Sequence, residues 1–291
     1  MIDEPAFKPT SCDVQSDGNL KCDGKEEIIK VEVSGEVPTS GNITLKNGKT
    51  KDVQLVLSEK TIIKNSDGKL IYGEAKPKEK TLDDICDYDS TNGVAEKTAG
   101  AKYSCEVKDG TSYNFFVLTT PQQDAETINL IMERNICQDG TQTDANKTDK
   151  CLVEYNSSGN AANGGPVAAM TYLNNATNTW ENIENLNLTY DDESKNFTGF
   201  TINGKARLPY RSEVTNYDRT NKTNAYLYDY LSQSGTIQTN QISGIQGYWT
   251  LSSYPGYTNG ASGVNYGGFV NTNSVGNYTS YGVRPVITLK I

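Results

Sequence analysis

The chain has 291 residues, a formal net charge of −9, a pI near 4.7 and no histidine. An acidic chain lacks the basic footprint of nucleic-acid binding or of attachment to acidic membranes. Without histidine, Ser-His-Asp and Cys-His catalysis, most zinc enzymes and histidine pH switches are excluded. Hydrophobic residues make up only 35% and glycine is abundant, which points to β- and loop-rich structure in two domains.

Residues 1–26 are polar, with Cys12 and Cys22 flanking the turn Asp17-Gly18-Asn19. From Glu27 the pattern becomes short apolar runs: Ile28–Val33, Asn42–Leu45, Val53–Leu57, Thr61–Ile63 and Leu70–Tyr72. Turn signals at Ser40-Gly41, Asn47-Gly48 and Asp67-Gly68 separate them, and Lys30-Val31-Glu32-Val33 alternates with the period of a half-buried antiparallel strand. The spacing predicts a small β-domain. Residues 74–112 carry Cys86, Cys105 and few hydrophobics, and read as a disulfide-tied connector, so the first domain spans 1–110.

The second domain, 111–291, opens on strands at Tyr113–Leu118 and Thr127–Met132, followed by a polar loop between Cys137 and Cys151. Pro166 sets a helix running to about Thr177, with Trp180 packed nearby. A strand at Phe200–Ile202 meets a turn at Asn203-Gly204, and helices are expected over Ser212–Asn216 and Ala225–Leu231. The fold class is therefore α+β.

The six cysteines, an even number closing short loops, predict three disulfides and an extracytoplasmic location. Sequence neighbours give Cys12–Cys22, Cys86–Cys105 and Cys137–Cys151, with the other pairings left open. The paired CxxC spacings of a zinc site do not occur, and no metal or cofactor is expected. No apolar run approaches membrane-spanning length, and Met1-Ile2-Asp3-Glu4-Pro5 does not read as an export signal, so the native form is expected to carry a signal or anchor that this sequence lacks. Asp191-Asp192-Glu193-Ser194 is weighed as a calcium ligand set and read instead as an exposed acidic turn. Asn-x-Ser/Thr sequons at Asn42, Asn146, Asn175, Asn187, Asn196 and Asn277 are what so many Asn, Ser and Thr produce by chance.

The most distinctive stretch is the last. Between Tyr230 and Val283 there is no Asp, Glu, Lys or Arg, and Gly247–Gly282 is mostly Gly, Tyr, Asn, Ser and Thr, closing on the apolar run Val283–Leu289. Tyrosine supplies large rigid contact area, and Ser, Gly and Asn supply adaptable polar contacts; that is the composition of binding loops. Trp249 is read as core, Arg207 as pairing with a carboxylate or backbone carbonyls, and Glu213 as a cap or partner.

Lys205-Ala206-Arg207-Leu208-Pro209-Tyr210-Arg211-Ser212-Glu213-Val214 resembles the RLPT-x-x-E segment of C-type-lectin-like domains of the formylglycine-generating-enzyme type. Gly247–Ser253 and Gly282–Val286 resemble the closing pattern of that fold, and the arrangement looks like lectin-like domains attached to type IV pilin-like proteins of gut bacteria. Residues 33–45 are similar to the sheet region of a pseudopilin. That resemblance implies a missing N-terminal hydrophobic helix as anchor, pilin subunits as partners and a cell-surface, pilus-associated location. Enzymes of this type use cysteines in the C-terminal half, and none follows Cys151; the Glu-Pro-Asn and Trp-Asn-Asp signatures of calcium lectins are also absent.

Lectin-like domains of this type are the usual targets of diversity-generating retroelements, which turn Asn codons into Tyr, Ser, Thr, Asp or Gly codons. On that resemblance the frame residues are Trp249, Ala261, Val264, Tyr266, Gly268, Val270 and Gly282–Val286. The intervening positions become outward-facing ligand contacts: Tyr254, Tyr257, Asn259, Ser262, Asn265, Asn271, Asn273, Ser274, Asn277, Tyr278, Ser280 and Tyr281. The function expected is a non-catalytic displayed binder of a protein or glycan, with a structural minor pilin as the alternative.

Overall fold

The computed structural model describes residues 80–291 except 145–150, 215–221, 232–241, 243, 268–269 and 277–279; at 222–224 and 270–271, and in seven strands before residue 80, it describes the backbone alone. The chain forms two compact units, Met1–Glu79 and Lys80–Ile291.

In the first unit, β1 (Cys12–Val14) pairs with β2 (Leu20–Cys22), and β3 (Ile28–Val33), β4 (Ser40–Leu45) and β5 (Thr50–Gln54) form an antiparallel sheet. A hairpin of β6 (Lys60–Lys64) and β7 (Leu70–Glu74) follows. The turn signals Asn47-Gly48 and Asp67-Gly68 fall between paired strands. Ser40-Gly41 does not form a turn: it opens β4, where Ser40 and Gly41 face Gln54 and Val53. The register sets Cys12 opposite Cys22, and a bond between their side chains lies outside the described residues.

The second unit is built on a five-stranded antiparallel sheet of order β18-β11-β10-β9-β8. Its strands are β8 (Cys86–Asp89), β9 (Lys102–Lys108), β10 (Thr111–Thr119), β11 (Thr127–Met132) and the C-terminal β18 (Val286–Lys290). The predicted strands at 113–118 and 127–132 are therefore present, but 74–112 is not a connector. It supplies β8 and β9, and the second unit begins at Lys80 rather than Thr111. The reason is period: Tyr103, Cys105 and Val107 are buried between the wetter Lys102, Ser104 and Glu106, a half-buried alternation hidden by polar composition. Cys86 faces Cys105 across this pair and is bonded to it, and Cys137 is bonded to Cys151. Such bonds form and persist in oxidising, non-cytoplasmic compartments. Among the described residues no helix is long and apolar enough to cross a membrane.

Both faces of this sheet are covered. Phe115, Leu130 and Ile287 face a core containing Leu173, Trp180, Trp249 and Leu251. Ile131 and Val286 face a second cluster with Tyr226, Leu227, Tyr230, Tyr248 and Val264. Helix α1 (Leu82–Ile85) is short, and Thr81 at its start donates its backbone N–H to Asp84 at 2.8 Å. Helix α2 (Val167–Thr177) starts directly after Pro166 and buries Ala169, Met170, Leu173 and Ala176. Strands β12 (Leu186–Tyr190) and β13 (Phe200–Gly204) pair, so Asn203-Gly204 ends a strand instead of turning. Helix α3 spans Arg211–Val214, and Lys222–Leu227 is a 3-10 turn where an α-helix was expected.

Two buried arginines tie these pieces together. Arg207 bonds backbone to backbone with Val286 and makes a bidentate pair with Glu213, at 2.7 and 2.6 Å. Glu213 also accepts the Tyr210 N–H at 2.7 Å, so both roles expected of it are filled. Arg284 is fully buried and donates to the carbonyls of Met132, Glu133, Tyr226 and Leu227.

Candidate functional site

The charge-free C-terminal stretch folds as a second sheet of order β16-β15-β14-β17. Its strands are β14 (Gly247–Tyr254), β15 (Tyr257–Asn265), β16 (Val270–Ser274) and β17 (Tyr281–Gly282). Strand β14 is buried from Gly247 to Ser253, sending Trp249 and Leu251 into one core and Tyr248 into the other. The Trp249 indole N–H donates to the Val153 carbonyl at 2.7 Å, and its ring lies 4.7 Å from that of Tyr281.

Tyr281 passes over two glycines. A Cβ at Gly247 or Gly263 would stand 2.6 Å from its ring, closer than any non-bonded carbon pair tolerates. Tyr281 is thus a core residue, and burial pushes its phenol up to about 12, partly countered by a hydrogen bond with Asn273. Ser262 is buried too, donating its hydroxyl to the Ser253 carbonyl at 2.9 Å. Both were expected to face a ligand, and neither does. The expected frame residues Trp249, Ala261 and Val264 are buried, and Tyr266 is half-buried.

At the far end of β14 the chain reverses through Pro255-Gly256, with Gly256 at φ 78°. Proline at the first and glycine at the second central position is the signature of a type II turn. Tyr254 and Tyr257 flank it in register, their rings 5.7 Å apart and inclined at 56°. Gly260 lies beside them: a Cβ there would come within 2.5 Å of the Thr272 hydroxyl and 3.3 Å of Tyr257 Cβ. Tyr257 is 57% exposed. Asn259 and Ser274 are exposed at the same end, joined through the Val275 N–H to Asn259 carbonyl bond at 3.1 Å. Of the predicted contacts, Tyr254, Tyr257, Asn259 and Ser274 therefore converge.

The others are placed differently. Asn265 is half-buried and caps its own turn by accepting the Gly267 N–H at 2.9 Å; Ser280 is half-buried, its carbonyl accepting from Gln246 and Gly247. Asn273 is half-buried against Tyr281. Asn271 lies in β16 opposite Gly263 with its side chain outside the described residues, and Asn277 and Tyr278 lie wholly outside them.

Two loops hold the hairpin from its sides. The first is the acidic turn, exposed as expected at Asp191 and Glu193 but buried at Asp192. Asp192 is 4% exposed; its carboxylate accepts the Ser253 N–H at 3.1 Å, the Ser253 hydroxyl, and the Asn196 N–H at 3.0 Å. Glu193 accepts the Ser252 hydroxyl at 2.8 Å, and Asn196 donates to the Ser253 hydroxyl at 2.6 Å. Burial of a carboxylate is tolerated when its oxygens are hydrogen-bonded. The turn is a latch on β14, set just before Tyr254.

The second loop, 155–165, was missed in the sequence. Its buried Asn156 donates to the Gly165 carbonyl at 2.6 Å and accepts the Ser158 N–H at 2.7 Å. The Tyr155 and Asn156 N–H groups donate to Val275, and Ala161 N–H donates to the Thr258 carbonyl at 2.6 Å. Ser157, Ser158 and Asn163 are left exposed beside the hairpin. The signal that could have found it is charge: residues 155–180 also lack Asp, Glu, Lys and Arg.

Two cavities lie away from the hairpin. One of about 650 Å³ is lined by Phe116, Tyr226, Lys102 and Asp229, and a smaller one of about 240 Å³ brings Glu133, Arg134 and Asp229 together. Burial raises the Asp229 carboxyl above its ordinary value, opposed by Arg284 and reinforced by Glu133. Among known proteins, the chain matches no family model, no curated sequence and no solved structure.

Proposed function

We propose that this chain is a displayed binding protein that makes and breaks no bonds. Its second unit, taken as a C-type-lectin-like domain of the formylglycine-generating-enzyme type, presents the Pro255-Gly256 hairpin to a ligand. Its first unit, taken as a pilin-like β-domain, mounts that face on a filament or envelope at the bacterial surface. The observation that carries this reading is the Tyr254–Tyr257 pair, Tyr257 exposed and Tyr254 half-buried, on a charge-free hairpin whose base is latched by Asp192 and Asn196. Rigid aromatic anchors among adaptable polar groups, on a pre-organised mount, keep the ordering cost of binding low. The disulfides suit an extracellular setting. Diversification by a retroelement belongs to the same proposal, acting on the outward positions. A near-repeat of the DNA encoding residues 247–282, differing only at adenines and beside a reverse transcriptase gene, is the expected genomic sign.

The test is Tyr254→Ala and Tyr257→Ala, singly and together, in the full chain, read for cell binding and for filament incorporation. Loss of binding with assembly intact is expected. Retained binding with failed assembly would make the chain a structural minor pilin instead. One pair of carboxylates that shares a depression is Glu133 and Asp229; there Glu133 is engaged by Asn114 at 3.2 Å and by Lys102 at 3.9 Å, and Arg134 lines the same depression.

A further inference from the structure

Charged residues make up 22% of the chain, yet two long stretches, 155–180 and 230–283, have none. Far apart in sequence, they meet at the hairpin. Ala161 N–H to Thr258 O, Tyr155 and Asn156 N–H to Val275 O, and the Tyr155 hydroxyl to Leu251 O at 2.8 Å all join one stretch to the other. Among the described residues they expose together hydroxyls, amides and the projecting ring of Tyr257, with Ser157, Ser158, Asn163, Asn259 and Ser274 around it.

From this juxtaposition we infer that the face takes a neutral saccharide, and that the loop 155–165 contributes to its specificity; this rests on the binding reading above. Within the two stretches an anionic or cationic ligand finds no charged side chain for a charge-assisted hydrogen bond, the strong kind that such ligands recruit; the carboxylates of the neighbouring latch loop, Asp192 and Glu193, are engaged by Ser253 and Ser252. A protein partner needs roughly 800 Å² per side with an apolar, aromatic-rich centre. Among the described residues of these stretches, Tyr257 is joined by a single further exposed large apolar side chain, Val167, which lies against Gly164 beyond the loop. A sugar matches what is present. Its hydroxyls both donate and accept, as do Asn, Ser and Thr side chains, and its C–H-lined ring face can lie on Tyr257. The loop qualifies as a specificity element because it is fixed: the Asn156 side chain spans it from Ser158 to Gly165.

The test uses the full chain against immobilised α-mannan, β-1,3-glucan and β-galactan, with heparin as the charged control, by biolayer interferometry. Binding to a neutral polysaccharide is expected, unchanged between roughly 0.15 and 1 M salt, where exposed ion pairs are screened. Tyr257→Ala and Asn163→Ala are each expected to weaken it at least about tenfold, and thermal unfolding of both variants should match wild type because both side chains are exposed. Binding to none of the neutral polysaccharides, or binding only to heparin and lost in salt, overturns the inference. So does unchanged binding by Asn163→Ala, for the part that concerns the loop. A separate arm measures adhesion to cells treated with periodate or with protease. Adhesion that depends on Tyr257, survives periodate and is lost to protease identifies a protein ligand, which refutes the saccharide while leaving the binding function standing. Adhesion indifferent to Tyr254 and Tyr257 refutes both.

Discussion

Replacing Arg284 with methionine removes a buried cation that has no carboxylate partner among the described residues. Its guanidinium donates to four backbone carbonyls, with distances of 3.0 Å to Leu227, 2.9 Å to Glu133 and 2.6 Å to Tyr226, and it lies 5.0 and 5.1 Å from the rings of Tyr230 and Tyr248. A buried acceptor stripped of its donor costs about 1–3 kcal/mol, and four are stripped here. Against that, the variant no longer desolvates a cation, a penalty of several kcal/mol. Since the fork also holds the 3-10 turn at Lys222–Leu227 to the end of β11, the acceptors cannot all turn to water without that turn leaving the sheet. The net loss is expected at about 3–5 kcal/mol. Arg284→Lys keeps the charge but only three donors on a point centre, so at least one carbonyl is unserved and the loss is about 2 kcal/mol. The assay is urea unfolding followed by tryptophan fluorescence; Trp180 and Trp249 are both buried in the second unit, so the signal reports that unit. An Arg284→Met variant within about 1 kcal/mol of wild type would refute the view that these carbonyls depend on Arg284.

Three further outcomes follow from the same physics. Asp192→Asn sets an amide N–H₂ against the Ser253 hydroxyl and Asn196 N–H donors; unfolding in urea should show a loss of about 2 kcal/mol, and a neutral result would mean the latch is not closed. Gly263→Ala drives a Cβ to 2.6 Å from the Tyr281 ring, itself packed against Trp249 at 34°; overpacking of about 1–3 kcal/mol should appear as a lowered Tm. Burial raises the phenols of Tyr190, Tyr248 and Tyr281 from 10.0 to about 12. The folded state therefore keeps protons that the unfolded chain releases. The stability they contribute is complete below pH 10 and is lost as pH rises through 12, so phenolate absorbance from these rings should rise only above pH 10, together with unfolding.

Strong periodicity made much of the second unit legible. Thr127–Met132 alternates, Pro166 announces α2, and Arg207 and Glu213 were each expected to find a polar partner, although Lys205 and Arg211 in the same segment left the pairing itself open. Strands β8 and β9 were not legible because only every second residue of Lys102–Lys108 is buried, and one of those is Cys105, which suggested a tied loop. At the site, glycine misled. The Gly-rich composition was read as that of binding loops, yet Gly247 and Gly263 are the space that Tyr281 fills, and Ser262 looked polar enough to be outside but satisfies Ser253 inside. Asp192 looked exposed for the same reason, since its hydrogen-bond partners stand some sixty residues away in sequence. Loop 155–165 left a charge-free trace in the sequence, but apart from the Tyr155 hydroxyl its bonds to the hairpin stretch run through backbone groups that no side-chain pattern encodes.

If the hairpin binds as proposed, its side chains are separable from the fold. The most direct measurement compares the Tyr254→Ala/Tyr257→Ala double variant with wild type, in urea unfolding and in cell binding side by side. Tyr257 is 57% exposed and Tyr254 half-buried, so stability should change by no more than about 1 kcal/mol, while binding should fall at least about tenfold. Full binding by a folded double variant would contradict the account.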